Sequence, residues 1–409
     1  MSVEAAVPRL REQPLLRGLV AAELTSMTGT QLSAVAIPWF VLEATGSASD
    51  MGMVMGAQWV GIAVIGVVGS HWAGRFGPRR TMLAADLLCA SLLALVPLLH
   101  RYDCLPLPLV MAVMFVVGGC TAPYLTSQQL VLDSFGGDEA LLSRANAALQ
   151  AATRLAMLVG PAVAGVLVSA VRAPGVLLLD SASFALSAVI VWRCLPADAA
   201  EQPGGRRPPA LAAGVRALFK DRLLGAWSLG LALAETAWQA LFALMPLLAL
   251  TRYHDAPSVA GVLLAAFGGG AILGTFLLYP ALRVTSAQRL VVAGRVALGL
   301  AFAALLAPLN LGQLIGCLAV VGLLNGLTGA PIVSVRLTRV PAATRSETLT
   351  VATAVALSGG ALGWVLAGAT GQAAGTDTAL AATVAVQTAA TLLFVFGACP
   401  ARAVTASEG

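Results

Sequence analysis

Charge is what this chain has least of. Asp, Glu, Lys and Arg make up 11 % of its 409 residues and hydrophobic residues 58 %, against roughly 25 % and 45–50 % in water-soluble domains. So few charges cannot cover a soluble surface. Histidine is nearly absent: His71, His100 and His254 are the only 3. They are dispersed among different connections or span ends, so no metal site or nucleophile–base constellation assembles in sequence. The cysteines, Cys89, Cys104, Cys120, Cys194, Cys317 and Cys399, are scattered without metal-ligand spacing and are expected to be free thiols. No Gly-Lys-Ser or Gly-Lys-Thr phosphate loop is present, because the runs Gly268-Gly269-Gly270 and Gly359-Gly360 lie inside apolar stretches. ATP is therefore not the evident energy source. Neither enzyme chemistry, a resident cofactor, a metal nor a nucleic-acid partner is expected.

What the chain has instead is apolar stretches of roughly 20 to 28 residues, recurring about twelve times, the length an α-helix needs to cross a bilayer. The ten-residue alternation of a membrane β-barrel is absent. The spans read approximately as 16–42, 51–73, 79–100, 105–132, 142–171, 174–195, 222–250, 257–280, 289–307, 311–335, 345–372 and 377–399. The first run continues to Leu42 without a small-residue cleavage site, so it reads as a retained span and not a signal peptide.

Basic residues sort by side. Arg9, Arg11, Arg17, Arg75, Arg79, Arg80, Arg144, Arg193, Arg206, Arg207, Arg216, Lys220, Arg222, Arg283, Arg289, Arg336, Arg339, Arg345 and Arg402 fall at one face, and only Arg101, Arg172 and Arg252 at the other. Short loops rich in Arg and Lys stay cytoplasmic. Both termini are thus expected in the cytoplasm, in a multi-pass protein of the cytoplasmic membrane, and the net charge of +5 reads as topology and lipid contact.

Residues 196–221, rich in Pro, Gly and charge, divide the chain into a six-helix bundle at 1–195 and another at 222–409. Within that linker Leu211, Val215, Leu218 and Phe219 alternate with Arg216 and Lys220 as a short amphipathic helix lying at the membrane surface. The halves also match: AIPWFVLEATG in the first span resembles ALMPLLALTRY in the seventh, and one offset pairs both Pro38 with Pro246 and Gln31 with Gln239. Parallel six-helix repeats of this kind place a substrate site near the midplane between the halves.

The stretch 143–171 contains Ala145-Asn146-Ala147, Arg154 and Gly160-Pro161-x-x-Ala164-Gly165. With the segments around Asp86 and Asp180, it resembles the major facilitator superfamily, in its branch of enterobactin-type siderophore exporters and macrolide efflux proteins. The resemblance covers essentially the whole chain. It implies an all-α fold of twelve transmembrane helices in two six-helix bundles. SHWAGRFGPRR resembles the superfamily's G-x-x-x-D-R-x-G-R-R loop. Arg75, Gly77 and Arg79 match and Arg80 extends the basic run, while Ser70 and Pro78 depart and Gly74 replaces the Asp. In relatives that acid helps latch the cytoplasmic ends together, so its loss implies a weaker or differently built latch. Gly160, Pro161 and Gly165 resemble the motif of proton-coupled exporters, where missing side-chain bulk and a missing backbone donor let the helix bend and pack closely. Ordinary tight packing explains the same residues.

Ionisable residues within spans cost at least roughly 2.5–3.5 kcal/mol each and need a partner or a wet cavity. Glu235 lies about thirteen residues into the seventh span, roughly 20 Å along it, on one face with Ser228 and Gln239. It is the candidate proton- or cation-binding group, or else a buried acid paired for packing. Glu23 shares a polar stripe with Ser26, Thr30 and Gln31, and belongs either to the cavity mouth or to headgroups or Arg17. Arg154 is the natural partner of an intramembrane carboxylate or of an anionic substrate, or part of a fixed pair. Asp86 reads as a partner of Arg79 or Arg80, Asp180 as a helix-start anchor, and Arg295 as reaching the cytoplasmic interface. Trp59, Trp227, Trp238 and Phe242, with Asn325, Gln128 and Gln129, are weaker candidates for substrate contact, and such aromatics are more often plain packing.

The expected activity is secondary active export of a small amphipathic or hydrophobic molecule, drug-like or siderophore-like, by proton antiport and alternating access, by a monomer in the lipid bilayer. The alternatives are uptake or facilitated diffusion of a metabolite, and a non-transporting receptor or assembly protein.

Overall fold

A computed structural model describes residues 14–102, 105–133, 139–195, 211–253, 257–340 and 344–399, with the side chains of 67–74, 139–140, 211–213, 345–346 and 349–350 outside that description. Arg9, Arg11, Cys104, Arg206, Arg207, His254 and Arg402 lie outside the described residues, as do 196–210 of the linker and the side chain of His71. The described elements are helices: α1 (Pro14–Thr45), α2 (Ala48–Phe76), α3 (Pro78–Arg101), α4 (Leu107–Asp133), α5 (Glu139–Cys194), α6 (Leu211–Lys220), α7 (Arg222–Arg252), α8 (Pro257–Val284), α9 (Ala287–Ala304), α10 (Leu311–Arg339), α11 (Arg345–Ala374) and α12 (Thr376–Ala398).

Among the described residues 10 stretches are long and apolar enough to cross a bilayer. One of them, in α5, is two spans. Its helix breaks at Arg172, with φ 61 and ψ 164, a left-handed conformation that a non-glycine residue rarely adopts. Pro174 follows, disfavouring helical geometry at the residue before it and removing a backbone donor. Arg172 is held there by an ion pair with Glu43 at the end of α1. The remaining span is α1, whose Arg17, Glu23 and Glu43 dilute its hydropathy but whose 32 residues cover about 48 Å at 1.5 Å per residue. The molecule thus has twelve transmembrane helices, with α6 as the short helix between the two sets of six.

The two sets are built alike. The first span packs on the fifth (α1 on α5, α7 on α11) and the second on the fourth (α2 on α4, α8 on α10). Opposite charges also link the outer ends of the first and sixth spans in each set, Glu43 with Arg172 and Arg252 with Asp377, with the signs exchanged between halves.

The hydrophobic core shows how the halves meet. At the arginine-poor end a single cluster runs through both sets, from Val35, Met51 and Ala164 to Leu244, Leu263 and Ala367. Towards the arginine-rich end the clusters stay within one half: Leu16, Met82, Leu132 and Leu149 in the first, Leu218 with Val351 and Trp227 with Phe394 in the second. The halves therefore share a core at one end and part at the other. The shared seam is α2 on α11 and α5 on α8, and it depends on absent side chains. A Cβ at Gly52 would lie 3.1 Å from Gly368 Cα, and one at Gly165 would lie 2.9 Å from Ser258 Cα. The Ala48 N–H, at the start of α2, also donates to Gln372 Oε1 of α11 at 2.9 Å.

Candidate functional site

α7 carries the centre of the second half. Gln239 Nε2 donates to Glu235 Oε1 at 2.8 Å, and Trp364 Nε1 of α11 donates to Gln239 Oε1 at 3.0 Å. Glu235 is half-buried whereas Gln239 is 7 % exposed, so the amide is clamped between an indole and the carboxylate it orients. α11 reaches α7 this closely because it presents glycine: a Cβ at Gly363 would stand 2.8 Å from Gln239 Cβ. Ser228, expected on the same face, is fully buried with its hydroxyl unpartnered and does not line an opening. Trp227 and Trp238 are also core residues. Trp227 lies against Phe394, and Trp238 against Phe267 and Phe302 with ring centroids 4.7 and 5.4 Å away. Trp59 of α2 instead sits on Gly360 of α11, across the seam between halves.

Arg295 corrects its expected position. Its side chain does not extend to the interface: it is 3 % exposed, with its guanidinium carbon 4.8 Å from the Phe394 ring centroid. The inward direction follows from α9 packing on α10 and α12, with the Thr391 hydroxyl donating to the Arg295 carbonyl at 3.2 Å. Arg295 is the electrostatic neighbour of Glu235, without forming an ion pair with it.

The first half treats its acids differently. Glu23 is 3 % exposed; Gln128 Nε2 donates to its Oε2 at 2.8 Å and the Thr153 hydroxyl to its Oε1 at 2.9 Å, tying α1, α4 and α5 together. It reaches neither headgroups nor Arg17. Asp86 accepts from Ser187 at 2.7 Å rather than pairing with Arg79 or Arg80, since Arg79 is turned to the Trp192 carbonyl at 2.6 Å. Asp180 is bound by Ser33 of α1 and by Ser183, so it fastens α5 to α1. Gln31 packs on Gly160.

Arg154 stands apart. No hydrogen bond or ion pair among the described residues joins it to a carboxylate, and it is exposed. Its place on α5 is informative. A Cβ at Gly268 of α8 would meet the Met157 carbonyl at 2.9 Å, and one at Gly261 would meet Gly165 Cα at 3.0 Å. Met157, Pro161 and Gly165 thus form the stripe of α5 that faces α8, and Arg154 continues that stripe by helical spacing. It lies one turn towards the arginine-rich end, where the two halves have parted. Helical dihedrals persist through Gly160, Pro161 and Gly165; Pro161 and Gly165 face α8 of the other half, whereas Gly160 faces Gln31 of α1. In the loop Arg75–Arg80, Gly77 joins α2 to α3 at φ 84, a conformation that favours glycine. Arg75 lies over the Phe76 ring and Arg80 is exposed.

Sequence reasoning did not single out Thr153, Ser187 or Trp364. Trp364 lies on the gapped glycine face of α11, the one signal that α7 would be its neighbour.

Two like sets of six spans, sharing a core at one end and keeping separate cores at the other, define the class of a membrane transporter. The sequence profile of the Major Facilitator Superfamily matches residues 19–364, and the chain belongs to that superfamily. It is 29 % identical over 373 residues to the multidrug efflux pump Tap of Mycobacterium bovis (strain BCG / Pasteur 1173P2), covering 87 % of each chain. It is also 29 % identical over 379 residues to the pump of that name from Mycolicibacterium fortuitum, covering 88 % of this chain and 90 % of that one. In fold it is similar to a bacterial homolog of the human lysosomal transporter Spinster in an inward-facing and unoccupied conformation, with TM-score 0.76, 14 % identity, and 94 % and 96 % of the two chains covered. The nucleoside transporter NupG superposes with TM-score 0.74 at 12 % identity over 93 % and 98 %.

Proposed function

We infer that this transporter is a monomeric exporter of the cell membrane that moves a small amphipathic or hydrophobic molecule outward in exchange for protons. In this reading both termini are cytoplasmic, the units are 1–195, 196–221 and 222–409, and the cleft at the arginine-rich end opens to the cytoplasm. Cargo enters there between the α5 stripe that ends in Arg154 and the α7 face that carries Glu235. Glu235 releases its proton to the cytoplasm in this state and takes one up when the other end opens. Gln239 and Trp364 hold it in place. The Gly52–Gly368 and Gly165–Gly261 seams part when the halves rock, and Arg75, Gly77, Arg79 and Arg80 form the hinge loop on the cytoplasmic side. Among the described residues, Arg79 donates to the Trp192 carbonyl of the first half, in keeping with a latch that lacks the family acid at position 74.

The observation that carries this reading is the half-buried carboxylate of Glu235 at mid-helix, with one oxygen held by Gln239 and the other unengaged. Relatives named as efflux pumps support the direction. One charge moving across roughly 150 mV is worth about 3.5 kcal/mol, enough for a several-hundred-fold gradient of a neutral cargo.

The test is flux in inverted vesicles with ethidium and N-phenylnaphthylamine as probes. Proton-gradient-dependent accumulation at least tenfold above Glu235→Gln is expected. Unaltered proton-coupled flux in that variant removes Glu235 from coupling, and gradient-independent equilibration would make the protein a facilitator.

A further inference from the structure

Between the end turns of its helices the second half holds one acid and one base; a further buried cation, Arg336, stands in the last turn of α10. The other Asp, Glu, Lys and Arg residues of α7 to α12, namely Arg222, Arg252, Arg283, Arg289, Arg336, Arg339, Arg345, Glu347 and Asp377, occupy first or last turns. Only Glu235 on α7 and Arg295 on α9 lie between. The groups facing them from neighbouring helices carry no charge: Trp364 on α11, Thr328 on α10, and Gln387, Thr391 and Phe394 on α12.

Arg295 is buried and yet idle, for its Nε and Nη1 have no hydrogen-bond partner. A guanidinium stays protonated, and a buried charge with unfilled donors is unfavourable unless an anion compensates it for part of the time. Phe394 lies between Arg295 and α7, touching the guanidinium on one side and Trp227 on the other, and the mid-span acid of α7 is Glu235, of which only Oε1 is engaged, by Gln239. Acid and base are neighbours through this contact and are not paired.

We propose that Arg295 is the internal counter-charge of Glu235: when the Glu235 O–H bond breaks and its proton passes to water in the cleft, the carboxylate pairs with the idle Nε and Nη1, and reprotonation releases them. Arg295 is a positioning residue in this step, acting through Glu235. The inference rests on reading Glu235 as the proton carrier and adds a consequence for cargo. Proton release takes Glu235 and Arg295 together from one positive charge to none, so a neutral hydrophobic molecule completes the cycle and no cationic group is required of it.

The test needs no transport. In full-length protein in lipid, the infrared band of the protonated Glu235 carboxyl is identified by its loss in Glu235→Gln. As pH is raised, Arg295→Gln is expected to keep this band at pH values where the wild type has lost it, and Arg295→Lys to return to wild-type behaviour. Superimposable wild-type and Arg295→Gln curves would overturn the proposal. Should Arg295→Gln not fold, ¹⁵N-arginine labelling asks the same question of variants that do. The Arg295 Nε signal, assigned by its loss in Arg295→Lys, should move with pH in the wild type and stay fixed in Glu235→Gln; a signal that moves equally in both overturns the pair. Failed flux with a coupled pair would sink the export reading alone, and working flux with an uncoupled pair would sink this one alone.

Discussion

The two halves share a helix plan and bury their charges by opposite rules. In the first, Glu23, Asp86 and Asp180 are each held by hydroxyl or amide donors from other helices, and among the described residues none has a cationic partner. In the second, the mid-span acid Glu235 keeps one oxygen unengaged, and the mid-span cation Arg295 keeps two donors idle. Glu23 and Asp180, with donors on both oxygens, serve as fixed cross-links between helices, each bond to a charged group contributing about 1.5–3 kcal/mol. An acid and a base that are near but unpaired have somewhere to go. One half is fastened and the other is adjustable, which is a reason to look for proton traffic in the second.

The largest test of that division is at the seam where the halves meet. Gly165→Leu inserts a side chain where Ser258 Cα already stands 2.9 Å from a modest Cβ. Overpacking of about 1–3 kcal/mol is expected to shift the balance between end-open states roughly ten- to hundred-fold. Probe flux should fall accordingly, with the cleft at the arginine-rich end becoming less accessible to thiol reagents placed on it. Undiminished flux would mean that the seam does not close during the cycle.

A second test compares the acids. Glu23→Ala strands the buried Gln128 donor, whereas Thr153 keeps the Leu149 carbonyl as an acceptor at 3.1 Å; it should lower stability by about 1–3 kcal/mol, read as a fall in the thermal midpoint of the purified protein, while Glu23→Gln, which keeps an acceptor, loses less. Glu235→Gln is expected to leave the midpoint nearly unchanged and remove coupled flux. The reverse pattern, with Glu23→Gln uncoupling a stable pump, would make the first half the adjustable one.

The smallest effect is expected at Arg154. Exposed and without a carboxylate partner, it should tolerate Arg154→Gln within about 0.5 kcal/mol of wild-type stability, with flux changing a few-fold at most and more for charged than for neutral probes. A drop in stability beyond about 1 kcal/mol would show that it has a structural partner after all.

The number of spans and the likeness of the halves were legible in the sequence because they are local or periodic properties. Twenty apolar residues must cross as helix wherever they lie, and Pro38 with Pro246 registers one half on the other. The partners of the intramembrane charges were not legible. Glu23 meets Thr153 and Asp86 meets Ser187 across long intervals of chain, and hydroxyls are too common in such helices to signal which of them faces an acid. Arg295 was read as reaching water because its distance from a helix end was known and its rotation about the helix was not. α9 turns it inward onto Phe394, a matter of azimuth settled by how α10 and α12 pack. Secondary structure and membrane insertion thus follow from hydropathy along the chain, which each residue contributes independently. Which acid is fastened and which is free depends on the relative rotation of whole helices, a quantity that exists only once their glycine faces have come together.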